Sequence, residues 1–303
     1  MTKHFFSFLL TIAVAMPALG QLKYPHPAKG PVTDDYFGAK VADPYRALEN
    51  TDAPETAAWV EAENKVTFDY LDKIPFRAKI KARLEQLLNY PKYTTPVKVG
   101  KYYIFQKNDG LQNQFVVYIQ EGLNGTPRVL LDPNSMSSDG TVSLGGIYPS
   151  KDDKYVAYSI QKAGSDWQEI FVLDPATGKK LDDHIQWMKF SGADWMKDGF
   201  FYSRFDAPAE GTFTSKNEFM KVYYHKLGTD QSKDQLIYED KTNGARQFYA
   251  STTEDERYIQ MYVREPGKKG NLLFVKDNNN PSKGFVPVNT DFEIDCGLLE
   301  SMG

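Results

Sequence analysis

A unit of strands and turns recurs along the chain and limits what it can fold into. The clearest copy, residues 145–160, has an apolar segment, a Ser/Asp-rich turn and a run of β-branched and aromatic residues. This order is typical of strand, tight turn and strand. Further copies occupy residues 190–205 and 248–263, and a degenerate one occupies residues 94–106.

The copies at residues 145–160, 190–205 and 248–263 are each followed by a second pair of predicted strands. These second pairs lie in residues 168–181, 221–239 and 271–288. Equivalent aromatic residues lie 52, 45 and 58 positions apart, in the order Tyr103, Tyr155, Phe200 and Tyr258. Four-stranded units at a period of about 40 to 50 residues favour the blades of a β-propeller over a sandwich. An unrelated all-β domain with ordinary turn spacing is the alternative.

The composition excludes several classes of partner. The chain has 303 residues, of which 41% are hydrophobic and 25% charged, with a net charge of -4. These values are typical of a globular protein, and no basic run predicts binding to nucleic acid or to an anionic membrane surface. The single cysteine, Cys296, excludes an internal disulfide and is predicted to be a buried thiol.

The N-terminus has the pattern of a secretory signal peptide over residues 1–20. A basic start precedes an apolar run from Phe5 to Met16 and small residues at Ala18 and Gly20. The apolar run is too short to span a membrane, and a buried first helix is the alternative. We therefore expect cleavage before Gln21 and a periplasmic or secreted protein.

Two helices are predicted before the repeats, after an irregular, Pro-rich stretch at residues 24–48. The first helix is predicted to begin here because Asp52 can cap it, Pro54 suits its first turn and Glu55 follows three residues after the cap. The second helix is predicted to begin at Pro75. The second ends before Pro91, because the residue before a proline disfavours helix. Their apolar positions are Trp59, Ala62, Val66, Tyr70, Phe76, Ile80, Leu84, Leu87 and Leu88.

These apolar helix positions lack an evident partner surface, so part of the fold is expected to lie outside this chain. Residues 290–303 begin another repeat and stop at Gly303, which supports the same expectation. The predicted boundary between the helices and the repeats lies near residue 91.

Eight short strings occur in order along the chain: DPYRALEN (43–50), WVEAENKVT (59–67), YPKY (90–93), GLQNQ (110–114), LLDPN (130–134), SSDGTVSL (137–144), GSDW (164–167) and YYHKLGTDQSKD (223–234). With them the chain resembles the prolyl oligopeptidase family of serine peptidases over nearly its whole length after the signal peptide. The resemblance implies a two-domain enzyme with a seven-bladed propeller inserted near the start of an α/β-hydrolase domain. Residues 21–91 would be a helical arm of the peptidase domain. Residues 92–303 would be a truncated, mainly β propeller of about four blades and the start of a fifth.

The resemblance also implies partners and a place for the chemistry. Short proline-containing peptides would be the substrates, and a C-terminal hydrolase domain would pack on the N-terminal helices; no cofactor is expected. A serine hydrolase of this class needs a G-x-S-x-G string followed by Asp and His, and the chain contains none. No catalytic residue and no metal site is therefore predicted here, and the chain alone should be inactive.

Acidic residues in the turns are interpreted as turn formers rather than as acid/base pairs. They include Asp132, Asp152, Asp153, Asp174, Asp198, Asp230, Glu254 and Asp255. The tryptophans Trp167, Trp187 and Trp195 are predicted to pack between blades.

Two positions are candidate substrate contacts by resemblance. Phe190 in MKFSGADW would line the apolar side of the cleft, and Arg264 in YVRE would bind the peptide backbone with a fixed fork of donors. A core phenylalanine and a surface arginine are the alternatives. The chain departs from the family pattern at Gln247, Pro266 and Gly267, which puts its outer pocket and any thiol sensitivity in doubt. Ala47 also replaces the tryptophan that is usual in the DPYxWLE string.

The sequence thus predicts the N-terminal part of an exported, proline-specific serine endopeptidase whose propeller limits access to the cleft. A stand-alone propeller that binds a partner without catalysis is the alternative. A related acyl-peptide or dipeptide-releasing peptidase is disfavoured by the GLQNQ and LGTDQS strings.

Overall fold

The structure is a computed structural model that describes residues 22–208 and 216–298. The predicted signal peptide, residues 1–20, lies outside the described residues. The chain divides into two compact units, with the boundary between Ile80 and Lys81.

A small hairpin precedes the helices. Strand β1 (Thr33–Tyr36) pairs antiparallel with β2 (Ala39–Ala42). The prediction that residues 24–48 are irregular is therefore wrong. The turn consists of Phe37 and Gly38, whose φ angles are 57° and 94°, and such a turn with two positive φ angles suits a two-residue hairpin.

Two helices follow, α1 (Pro54–Leu71) and α2 (Arg77–Leu88), close to the predicted positions. The N-cap of α1 is Ala53 and makes no side-chain cap hydrogen bond, so the prediction that Asp52 is the cap is wrong. Trp59 is partly buried. Six other predicted apolar positions are each 50% to 60% exposed: Tyr70, Phe76, Ile80, Leu84, Leu87 and Leu88.

Four antiparallel sheets follow, one for each predicted repeat. Sheet 1 contains β3 (Lys92–Tyr93), β4 (Val97–Val99), β5 (Tyr102–Asn108), β6 (Val116–Glu121) and β7 (Arg128–Leu131). Sheet 2 contains β8 (Val142–Pro149), β9 (Val156–Lys162), β10 (Gln168–Leu173) and β11 (Lys180–Met188).

Sheet 3 contains β12 (Asp194–Met196), β13 (Gly199–Arg204), β14 (Lys221–Lys226) and β15 (Gln235–Glu239). Sheet 4 contains β16 (Gln247–Thr252), β17 (Tyr258–Arg264), β18 (Leu272–Asp277) and β19 (Val286–Asn289). In sheets 2 to 4 each strand pairs with the next one in sequence, which confirms the predicted four-stranded units.

Apolar side chains fill the space between successive sheets. Separate clusters join sheet 1 to sheet 2, sheet 2 to sheet 3, and sheet 3 to sheet 4. Trp195 belongs to the second cluster and stacks on Tyr155 with ring centroids 6.3 Å apart. Trp167 meets Trp187 edge to face at 5.7 Å and Phe205 of the next sheet at 6.3 Å. Trp167 and Trp195 therefore pack between sheets, as predicted, whereas the ring contact of Trp187 is with Trp167, beside a strand of its own sheet.

Each sheet has an irregular register between its last two strands. The shift falls between residues 117 and 118, 168 and 170, 222 and 223, and 273 and 274, and sheet 2 has a second shift between residues 171 and 173. In every sheet a shift lies near the start of the strand before the last. A bulge at this position increases the local twist of the outer strand.

The described chain beyond β19, residues 290–298, has no strand and is held by Asn271. The Asn271 side-chain amide donates to the Cys296 carbonyl at 2.9 Å and its oxygen accepts from the Cys296 N–H at 2.9 Å. Cys296 is partly exposed, so the prediction of a buried thiol is wrong.

Candidate functional site

The two predicted site residues, Phe190 and Arg264, lie at the same end of sheets 3 and 4. The Ser203 hydroxyl, at the end of β13, donates to the Phe248 carbonyl of β16 at 2.6 Å. The Phe248 N–H donates to the Met220 sulfur just before β14 at 3.3 Å. We call this end, where β16 begins and β13 and β17 end, the site end.

Phe190 lies at the site end, in the loop that joins sheet 2 to sheet 3. Its side chain is 57% exposed, so the alternative of a core phenylalanine is wrong. The next residue is anchored, because the Ser191 hydroxyl accepts from the Ser203 N–H at 2.9 Å. The loop therefore displays an apolar ring on the surface.

The backbone at the end of β11 and in this loop has an unusual conformation. Trp187, in β11, and Phe190, in the loop, have φ angles of 65° and 55°, which are unfavourable for residues with a large side chain. Such strain persists only where the surroundings determine the conformation. The Gln231 side chain accepts from the Gln186 N–H and donates to the Gln186 carbonyl, both at 3.1 Å. Gln231 therefore holds the end of β11, from which the loop that carries Phe190 starts.

Arg264 is the last residue of β17 and lies opposite Gln247. Its Nη2 atom lies 3.3 Å from Asp295 Oδ1, and the two side chains are 57% and 61% exposed. An exposed ion pair is weak, so the guanidinium can exchange the carboxylate for a ligand oxygen. Gln247 accepts from the Tyr249 hydroxyl at 2.9 Å, which places a polar pair beside Arg264.

A cationic and aromatic cluster next to Phe190 was not predicted as part of the site. Lys189 is only 5% exposed, and its ammonium lies 4.3 Å from the centre of the Trp167 ring. A cavity of about 290 Å³ beside it is lined by Trp167, Trp187, Ser165 and Gln168, among others. The unusual burial of a lysine cannot be recognised from its sequence position alone.

The chemistry available in this chain is limited. Among residues 22–208 and 216–298, no group of three or more His, Cys, Asp or Glu side chains is placed to hold a metal ion. Within the same ranges no helix is both long and apolar enough to cross a bilayer. Both ring nitrogens of His225 contact carboxylates, so this histidine has no nitrogen left to activate a serine.

The acidic turn residues form local hydrogen bonds, in agreement with their interpretation as turn formers. Asp132, Asp174 and Asp230 each accept a hydrogen bond from the backbone N–H two residues ahead. Bonds of this kind stabilise the turn rather than prepare a carboxylate for catalysis.

Comparison with known proteins places these features in a family. Residues 24–298 match the family model described as "Prolyl oligopeptidase, N-terminal beta-propeller domain". The chain is 44% identical to the prolyl endopeptidase of Elizabethkingia miricola over 293 residues, which are 96% of this chain and 41% of that protein. It is 34% identical over 270 residues to prolyl oligopeptidase A of Amanita bisporigera, covering 78% of this chain and 35% of that one.

Solved structures give the same result. A prolyl endopeptidase structure matches with a TM-score of 0.64 at 32% identity, over 92% of this chain and 41% of that one. Prolyl oligopeptidase B of Galerina marginata, bound to a 35-residue hydrolysis and macrocyclization substrate, matches with a TM-score of 0.76 at 27% identity, over 92% and 43% of the two chains. The chain thus spans less than half the length of these relatives. The four sheets are blades of a β-propeller, and the chain belongs to the prolyl oligopeptidase family, whose N-terminal propeller domain it contains.

Proposed function

We propose that this chain forms the helical arm and propeller part of an exported serine endopeptidase that cleaves short peptides at proline. The observation that carries the proposal is the 44% identity to a prolyl endopeptidase over 96% of the chain. Since the chain spans 41% of that relative, the activity belongs to a longer protein. A C-terminal hydrolase domain supplies the serine, aspartate and histidine, and the 303-residue chain alone is inactive.

In this proposal the propeller restricts access to the cleft, and Phe190 and Arg264 contact the peptide. The support is that an exposed aromatic ring and a weakly paired guanidinium lie at the same end of the sheets. The ring provides an apolar surface, and the guanidinium provides donors for backbone carbonyls.

The test is to read the gene downstream of codon 303. We expect it to encode a G-x-S-x-G string followed by Asp and His. Its product should cleave a chromogenic peptide with proline before the scissile bond and leave the alanine version intact. A frame without these residues would contradict the proposal and favour a binding propeller.

The role of Arg264 is tested in that longer protein. Arg264→Ala should lower kcat/KM more for long peptides than for minimal ones. The extra loss of transition-state stabilisation should be about 1 to 3 kcal/mol, the value of a lost charge-assisted hydrogen bond. Arg257→Ala is the matched control, because Arg257 lies just before the first residue of β17, at the opposite end of the same strand. Equal losses on long and minimal peptides would show that Arg264 is only a surface arginine.

The export part of the proposal rests on the pattern of residues 1–20. N-terminal sequencing of the protein from its producing cell should find a chain that begins at or near Gln21. Retention of Met1 would contradict export.

A further inference from the structure

A histidine and two aspartates form a buried cluster between sheets 2 and 3. Asp183 belongs to β11, His225 belongs to β14, and Asp234 immediately precedes β15. The His225 side chain is 0% exposed and both carboxylates are 1% exposed. The proposed peptidase function assigns no role to these residues.

The distances determine where the protons are. His225 Nε2 lies 2.9 Å from Asp183 Oδ1, and Nδ1 lies 2.7 Å from Asp234 Oδ1. An ionised carboxylate only accepts hydrogen bonds, and a neutral imidazole has a single N–H to donate. Both bonds can therefore form between ionised aspartates only if His225 carries a proton on each ring nitrogen.

Other donors complete the coordination of the two carboxylates. The Gly228 N–H donates to Asp183 Oδ1 at 2.6 Å, and the Tyr202 hydroxyl donates to Asp234 Oδ2 at 2.7 Å. All these groups except Asp183 come from sheet 3. The bond from His225 to Asp183 is therefore a direct polar link between the two sheets.

We propose that His225 is held as an imidazolium between Asp183 and Asp234 and that this buried cluster clamps sheet 2 to sheet 3 in a pH-dependent way. Loss of the ring proton removes one of the two bonds and leaves two buried carboxylates without a positively charged partner. Removing one member of a buried ion pair is strongly destabilising. The interface between the two blades should therefore loosen when His225 becomes neutral.

The surroundings of His225 favour the proton. Burial alone would lower the pKa of His225, but the hydrogen bonds to Asp234 and Asp183 outweigh it and raise the pKa above 6.5. The charged and titratable groups that face the ring are Asp183 from β11, Tyr202 from β13, and Asp230 and Asp234 from the turn before β15. The Phe200 ring packs against the imidazole, with centroids 5.2 Å apart.

The sign of the pH effect follows from this direction. Because the folded pKa is higher than the unfolded one, the clamp contributes fully below about pH 6.5 and is lost as pH rises through the folded pKa. Within that window the equilibrium constant for folding falls by up to about tenfold for each pH unit.

The test is hydrogen–deuterium exchange of the 303-residue chain between pH 5.5 and pH 9.5, with each rate corrected for intrinsic exchange. Protection of β11 and β14 should fall by about tenfold or more across this range, while β17 should change less. His225→Gln should lower protection of β11 at pH 5.5 and remove its dependence on pH. Protection of β11 that is independent of pH in the unsubstituted chain, or dependence that survives in His225→Gln, would overturn the proposal.

A second measurement requires no substitution. Nitrogen NMR of the histidine rings at pH 6 should show both nitrogens of His225 protonated. A neutral ring at that pH would overturn the proposal even if the variant fails to fold.

Discussion

The helices and the sheets use their apolar residues in opposite ways. In the sheets, large side chains such as Phe200 are completely buried against a neighbouring sheet. In α1 and α2 the buried position is Thr56, and Leu84 is 51% exposed. Each sheet therefore finds its partner in the next repeat. The helices have apolar surface that requires a partner, which in our proposal is the hydrolase domain.

The largest expected effect is the difference in stability loss between truncating a buried sheet residue and truncating an exposed helix residue. Phe200→Ala removes a buried ring between sheets 2 and 3 and should destabilise the chain by about 3 to 5 kcal/mol. Leu84→Ala should change the free energy of unfolding by less than about 0.5 kcal/mol, because its side chain already contacts solvent. Urea unfolding followed by tryptophan fluorescence measures both. Similar losses would contradict the comparison.

The exposed helix residues should make the chain associate with itself. Each 100 Å² of apolar surface that is buried contributes about 2.5 kcal/mol, so contacts through α2 are favourable. We expect sedimentation velocity to show oligomers or aggregates. The combined substitutions Phe76→Ser, Ile80→Gln and Leu84→Gln should reduce them.

Polar substitutions on the same helix provide the control. Lys79→Gln, Lys81→Gln and Arg83→Gln alter charge but leave the apolar surface intact, so they should not reduce association. A monodisperse monomer before any substitution would contradict this prediction and favour a self-sufficient binding module.

The partly buried carboxylate of Asp194, in β12, should make the stability of the sheets depend on pH at a second position. Asp194 Oδ1 accepts from the Thr252 N–H and hydroxyl, both at 2.9 Å, and burial raises the pKa of Asp194. The folded state thus favours the protonated form, and stability falls as pH rises from 3.8 through the folded pKa. Asparagine keeps the acceptor without the charge, so Asp194→Asn should raise Tm at pH 7 by up to about 4 °C.

The same substitution on the surface provides the comparison. Asp198 lies in the exposed turn between β12 and β13, so Asp198→Asn should not raise Tm at pH 7. A lower Tm for Asp194→Asn at pH 7 would show that the ionised carboxylate stabilises the fold, contrary to this prediction.

The smallest effect should come from an ion pair on the helical arm. Lys65 Nζ lies 2.7 Å from Asp69 Oδ2, with the two side chains 75% and 57% exposed. Solvent screens such a pair, so Asp69→Ala should leave the thermal melt unchanged within error. A shift as large as that of Asp194→Asn would show that the arm depends on its surface charges.

The repeats were predictable because strand alternation and turn residues are local properties of the sequence. The hairpin at residues 33–42 was missed because its turn is Phe37–Gly38 rather than a common Asn-Gly or Asp-Gly pair. Asp52 failed as a cap because the helix begins one residue later than the pattern suggested. Helix ends are set by such small differences and are the least predictable boundaries.

The site was predictable only in part. The resemblance named Phe190 and Arg264 as candidates, but their exposure depends on how the chain packs in three dimensions. The partners of His225 lie 42 residues before it and 9 residues after it, so no local pattern connects the three. The same holds for Lys189 and Trp167, whose contact depends on two separate loops.

The register shift between the last two strands of every sheet has a consequence for how this chain can misassemble. A regular outer strand offers a straight row of free N–H and C=O groups that can template another strand. A bulged and twisted outer strand is a poor template. Aggregates of this chain should therefore grow through apolar faces as amorphous particles, without the ordered cross-β stacking of amyloid fibrils.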